Sequence, residues 1–307
     1  MSTEIDCPRR LVSAASAFPS DGEGKGEDAV TTSQPPITLI RPARAWQLIN
    51  FRELWQAREL IYILAWRDVK LRYKQTLLGA AWAVLQPGLM MLVFTIFFGR
   101  LAHVSSGGVD YSVFVYAGLL PWTFFATAIT SAGNSVIGSE RLITKVYFPR
   151  LAVPLASVGA AVVDCLIACG LLLVLMLWHG ITPNVRLLLA PLFLSVMLLA
   201  AVGVGTLLAA LNVAYRDFRY VIPFLTQFWM FATPTVYMQP DADASGVVQM
   251  CLALNPMTSL VAAFRAAVLG GPIAWGEVAV AAELSALLFL AGCLYFRRVE
   301  DSFADVI

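Results

Sequence analysis

Six long apolar runs, joined by shorter polar connections, leave this chain few ways to fold. They lie near 77–99, 113–136, 151–178, 188–211, 221–238 and 275–296. A helix crossing a bilayer core of about 30 Å needs roughly 20 apolar residues, and each run meets or approaches that length. Composition agrees: 59% of residues are hydrophobic, 13% are charged and the mean hydropathy is +0.75, outside the range of a soluble domain. Lipid offers the backbone no hydrogen-bond partner, so only helices and closed barrels cross it, and a barrel reads as short alternating segments rather than solid runs. The expected fold is an all-α integral membrane protein with six transmembrane helices.

Six spans put both termini on one side. That side collects Arg67, Lys70, Arg72 and Lys74, then Arg141, Lys145 and Arg150, then Arg216, Arg219, Arg297 and Arg298, whereas the other keeps Arg100, Arg186 and Arg265. The excess of cations on inner loops places both ends in the cytoplasm. Residues 1–36, rich in Ser, Gly, Pro, Asp and Glu, read as a disordered cytoplasmic tail. A cytoplasmic segment follows over 37–76, then a six-helix domain over 77–296 and a cytoplasmic tail over 297–307. The net charge of +1, with no basic run interleaved with aromatics, speaks against a nucleic-acid partner. Cys7, Cys165, Cys169, Cys251 and Cys293 form no disulfide framework. Cys165 and Cys169 share a helical face, but no nearby His completes a metal site, and packing is the expected role.

Between the tail and the first run, residues 52–74 carry Leu54, Trp55, Ile61, Leu64, Ala65 and Val69 at helical spacing, with charged residues opposite. The pattern predicts an amphipathic helix, either lying at the membrane interface with cations toward headgroups or packed on a neighbouring subunit. Gln86-Pro87-Gly88 falls midway along the first run, where proline removes a backbone hydrogen bond and Gln86 is free to bond across helices. Ser139, Glu140, Arg141, Leu142, Thr144 and Lys145 lead into an aromatic–proline turn, Tyr147-Phe148-Pro149. A connection needs only a few residues. These form either a surface that another protein grips or a solvated loop. Asp164 is the deep acid of the third run, with Glu283 its counterpart in the sixth; such groups face a partner helix, a wet cavity or, less readily, a proton relay. Residues 239–272, broken at Asn255-Pro256, are too interrupted to span and predict short outer re-entrant helices.

Taken in order, these motifs carry a resemblance. Trp66-Arg67-Asp68-Val69-Lys70-Leu71-Arg72-Tyr73-Lys74, Leu78-Gly79, Trp82, Gln86-Pro87, Glu140-Arg141-Leu142-Ile143, Phe148-Pro149-Arg150 and Asn212-Val213-Ala214-Tyr215-Arg216-Asp217 resemble the permease subunits of type-2 ABC transporters that export O-antigen, capsule or teichoic-acid polysaccharides. The resemblance covers residue 38 to the C-terminus. It implies a bacterial inner-membrane homodimer that moves a glycan, carried on a polyprenyl diphosphate, with two copies of a separate ATPase holding ATP and Mg. The absence of any G-x-x-x-x-G-K-[ST] phosphate loop fits a chain without its own cofactor or nucleotide site. The resemblance further implies that Trp66, Arg67, Lys70, Arg72, Tyr73 and Lys74 act as a cytoplasmic gate, with Leu78 and Gly79 near substrate entry. It makes Ser139 to Lys145 the coupling helix seated in the ATPase, and the 239–272 helices an outer gate. Tyr116, Trp122, Phe124, Phe125, Phe228, Trp229, Phe231 and Tyr237 either line a sugar path or form interfacial belts and packing. An exporter of lipid or drug keeps the fold with another cargo. A polytopic glycan-processing enzyme, from a different class, requires clustered acids or histidines that His103, His179, Asp110, Asp241 and Asp243 scarcely supply.

Overall fold

The computed structural model describes residues 51–74, 81–101, 108–146, 148–237, 250, 252–300 and 303. The tail 1–36, Leu78, Gly79, His103, Tyr147, Asp241 and Asp243 lie outside the described residues.

Within the described residues the architecture is helical. A short α1 (Phe51–Gln56) and α2 (Arg58–Lys74) precede α3 (Ala81–Phe94), which continues as a π-helix over Thr95–Leu101. Then come α4 (Tyr111–Gly138), α5 (Glu140–Lys145) and α6 (Ala152–Trp178). A 3₁₀ turn over Val185–Leu189 leads into α7 (Ala190–Ala214), followed by α8 (Phe218–Ala232), α9 (Pro256–Leu269) and α10 (Trp275–Val299). Five helices are long and apolar enough to cross a bilayer: Ala81–Leu101, Tyr111–Gly138, Ala152–Trp178, Val185–Ala214 and Trp275–Val299.

The fifth apolar run departs from expectation. Its helix, α8, has 15 residues, about 22 Å at 1.5 Å per residue, short of the bilayer's ~30 Å. It stops at Thr233-Pro234, where proline removes a donor and its ring disfavours helix in the preceding residue. The amphipathic segment also differs in detail: it is split at Ala57, and α2 packs along α6.

Helix α4 is the hub, with 78% of its most apolar window buried, and it lies against both α6 and α7. Glycines set the tightest crossings. A Cβ on Gly292 would stand 1.9 Å from the Gly203 carbonyl oxygen, and one on Gly203 would meet the Phe289 backbone at 2.5 Å, so α7 and α10 touch backbone to backbone. Small residues at such crossings let van der Waals packing work where lipid supplies no hydrophobic drive. A second apolar cluster closes the end rich in Lys and Arg, called here the basic end: Val136, Ile143, Leu151, Val213, Phe296 and Phe303. By contrast α3 buries only 11% of its most apolar window.

Candidate functional site

Three constructions stand out: a groove under α2, the α5 projection and a clamped corner after α8.

Helix α2 runs beside the first half of α6. Leu64 is its buried residue, Ala65 faces Gly159, whose own Cβ would come within 2.8 Å of it, and Arg72 reaches Asp164. The contacts advance together along both helices, so the two run in the same direction. Asp164 lies twelve residues past the start of α6, about 18 Å along its axis. Arg72 Nη1 stands 3.0 Å from Asp164 Oδ2, while the Tyr73 hydroxyl donates to Oδ1. Burial first, and then the bond to Asp164, push the Tyr73 phenol far above its ordinary range, which keeps it a neutral donor. The deep acid is thus held by the N-terminal helix, an arrangement that satisfies both carboxylate oxygens.

Beneath α2 lies a cavity of about 450 Å³. One wall is a polar stripe of α4, Ser131, Asn134, Ser135 and Gly138, continued by Ser139; the others carry Arg67, Asp68 and Arg72 from α2 and Ser157 from α6. The spacing of the α4 residues puts them on one helical face. A separate, narrower space of about 50 Å³ on the other side of Arg72 is lined by Asp164, Gln86, Thr123 and Thr127. Arg67 pairs with Asp68 at 2.9 Å, and Lys70 lies 5.4 Å from the Trp66 ring centroid. Trp66, Arg67, Lys70 and Lys74 are exposed.

Helix α5 coincides with the segment expected to meet a partner. Glu140, Arg141, Thr144 and Lys145 are exposed, Ser139 and Leu142 are half-buried, and Ile143 is buried in the basic-end cluster. One apolar anchor therefore holds a helix whose charged residues point out. Asn212, fully buried at the end of α7, donates to the Gly133 carbonyl at 3.0 Å and to Asn134 Oδ1 at 3.2 Å. That pair ties α7 to α4 two turns before α5.

At the opposite end the chain leaves α8 through Thr233-Pro234-Thr235-Val236, all buried. Such backbone is tolerated at membrane depth only where protein satisfies it. Arg265 of α9 donates to the carbonyls of Thr235 at 2.6 Å and Pro234 at 3.3 Å, and its guanidinium carbon lies 4.0 Å from the Phe114 ring centroid. Tyr111 donates to the Val236 carbonyl at 2.9 Å. Asn255 caps α9 through Met257 N, accepts from Trp229 Nε1 at 3.0 Å and donates to Thr233 Oγ1 at 2.9 Å. Gly118 makes the approach possible, since a Cβ there would meet the Thr235 oxygen at 2.1 Å. Arg186 holds the far end of α9 through the carbonyls of Gly270 and Gly271 at 3.1 and 2.7 Å. At the start of α4, the Ser112 hydroxyl is the main cause of a lowered Asp110 pKa, with His179 nearby adding to it.

The aromatics divide. Tyr116, Trp122, Phe124 and Phe125 are buried inside the protomer, with Tyr116 donating to the Ala168 carbonyl and Phe125 edge-on to Trp229 at 5.2 Å. Phe228 and Phe231 are exposed, and with Tyr220 and Phe224 they make a stripe along α8. Tyr237 is half-buried and donates to the Phe231 carbonyl. Gln86 borders the Asp164 space, whereas Glu283 stands exposed on α10, away from it. Arg265 lies in a short helix of the segment read as outer re-entrant helices; its grip on the carbonyls of 234–235 is what sequence reasoning missed, with Pro234 inside the fifth run the available signal.

Comparison with known proteins places this architecture. The profile of the ABC-2 type transporter family matches residues 59–269. The chain is 31% identical over 257 residues to the O-antigen export system permease protein RfbA of Myxococcus xanthus, covering 83% of this chain and 98% of the relative. It is 24% identical over 253 residues to RfbA of Klebsiella pneumoniae, covering 81% and 95%. With the polysialic acid transport protein KpsM of Escherichia coli, identity is 25% over 244 residues, covering 76% and 91%. This multi-pass chain belongs to the ABC-2 type transporter family of membrane proteins.

Proposed function

We propose that this chain is the channel-forming permease half of an ATP-driven exporter that moves a polysaccharide of the O-antigen or capsule class, carried on a polyprenyl diphosphate, across a bacterial inner membrane. Both termini then lie in the cytoplasm, at the basic end, where the cations of 67–74, 141–150, 216–219 and 297–298 gather. The observation that carries the reading is α5: a six-residue helix with exposed Glu140, Arg141 and Lys145 and buried Ile143, in a chain collinear with O-antigen permeases. It has the form of a plug for a separate ATPase, two copies of which serve a homodimer and hold the ATP and Mg. A second copy of the chain would cover α3, the apolar span left most open within one protomer.

In this reading nucleotide-driven closure of the ATPases displaces α5, and the Asn134–Asn212 pair passes the movement to α7 and the turn before α8. Helix α2 gates the cytoplasmic groove, α8 and α9 form the sixth membrane passage and the outer gate, and Phe224, Phe228 and Phe231 offer ring faces on which sugars stack. The test is a mild-detergent pull-down of the tagged chain from native membranes, with proteins and lipid-linked glycans identified by mass spectrometry. A stoichiometric ATPase and a polyprenyl glycan are expected; a preparation lacking the ATPase overturns the proposal. Glu140→Ala and Arg141→Ala are expected to weaken ATPase stimulation and export while leaving expression intact, and normal coupling in both would remove α5 from the role.

A further inference from the structure

The unexplained group in this fold is Asp164. An acid about 18 Å along a membrane-spanning helix is costly unless it is paired or hydrated, and here both partners come from outside the six apolar runs, from one turn at the end of α2. Three further observations bear on it. The contact is the far end of a docking seam whose near end is Ala65 against Gly159, a van der Waals contact with no directional bond. Arg72 and Asp164 are both partly exposed, at 42% and 21% of their side chains, so water reaches the pair and it can break without stranding a dry charge. Finally, α2 is one wall of the polar cavity, and the wall facing it runs down α4 through Asn134 and Gly138 to Ser139, where α5 begins.

We infer that Asp164 is a positioning residue acting as the catch of a releasable latch: its carboxylate holds Arg72 and Tyr73, and thereby fixes whether α2 closes or opens the polar cavity toward the basic end. The inference deepens the gate reading of α2 and rests on it for its consequence in transport, but the latch itself is a property of this chain. Two contacts on one carboxylate make the catch graded. Loss of the Tyr73 hydroxyl leaves the ion pair, loss of the charge leaves one hydrogen bond, and loss of the carboxylate frees α2 beyond Ala65. Because the opposite wall ends at α5, a shift there changes the space into which α2 closes, which places catch and coupling on one cavity.

The experiment uses the full chain in inside-out membrane vesicles, with the five native cysteines replaced by alanine and Ser131→Cys introduced in the cavity wall. The rate of modification by a membrane-impermeant maleimide is measured. Asp164→Asn is expected to raise the rate several-fold and Tyr73→Phe by a smaller factor. The exchange of Arg72→Asp with Asp164→Arg is expected to return it toward the parent value. An unchanged rate in Asp164→Asn overturns the latch, as does an exchange variant that labels as fast as the single variants. A merely structural role for Asp164 would lower folded yield without recovery on exchange, so size-exclusion profiles are taken on every variant. In parallel, the complex with its ATPase is assayed without substrate, where Asp164→Asn is expected to raise basal hydrolysis several-fold. Labelling that follows the latch while hydrolysis does not would keep the latch and overturn the gate reading of α2.

Discussion

Arg265 satisfies two backbone carbonyls at the break after α8 and lays its guanidinium on the Phe114 ring. A planar fork can bridge adjacent carbonyls and stack at once, which a lysine ammonium cannot. Arg265→Lys is therefore expected to behave like Arg265→Ala, each destabilising by about 3 kcal/mol or more because buried carbonyls lose their donors, as read by thermal unfolding in detergent. Gly118→Ala tests the same contact from the other side. Its methyl group would enter the Thr235 oxygen at 2.1 Å and Arg265 Nη2 at 2.2 Å, and overpacking of this kind costs roughly 1–3 kcal/mol. At the basic end, Ile143→Ala is expected to lower stability by about 2–4 kcal/mol, whereas its exposed neighbour Glu140→Ala leaves the melting point unchanged. A melting point that falls equally in both would contradict the one-anchor description of α5.

Elements differ in how firmly they are joined. The α7–α10 crossing is backbone on backbone through Gly203 and Gly292, and α4 is enclosed by α6 and α7. Helix α2 instead rests on one side of α6. Gly159→Val should push α2 away without disturbing the bundle: protease cleavage near Arg58 should quicken while the melting point of the remainder stays put. Gly292→Val has the opposite signature, with the whole chain failing to accumulate, because no side chain can yield at 1.9 Å from a carbonyl oxygen. The long runs were legible in the sequence, since a span's length and apolarity are local properties. That the charged connection over 139–145 forms a short helix with its charges outward was legible too, because the charged residues and the buried Ile143 lie close together in sequence. The docking of α2 was not legible: Tyr73 and Asp164 are 91 positions apart, and no periodicity encodes which acid will meet which helix. The shortness of α8 was half-visible in Pro234, masked by apolar residues on both sides.

For the whole molecule, polarity is distributed by end. The basic end carries a wet groove, an exposed charged helix and an apolar plug made by Ile143, Phe296 and Phe303; the other end carries a clamp of carbonyls, amide and guanidinium. The sequence anticipated this asymmetry through its cation count. It could not show that the half-buried Arg265 belonged to the clamp, because charge counting assumes that a cation between spans is solvated.

The clamped corner also carries a consequence for biogenesis. A translocon sorts segments by apolar length, and α8, at 15 residues, offers a weak signal on its own. The carbonyls of Pro234, Thr235 and Val236 in its exit segment accept from Tyr111 of α4 and Arg265 of α9, one synthesised long before it and the other after. The α8–α9 hairpin should therefore be the last part to seat, waiting near the surface until the ribosome has delivered Arg265. Nascent chains arrested before residue 265 should remain sensitive to protease at 233–236, and those arrested after α10 should be protected.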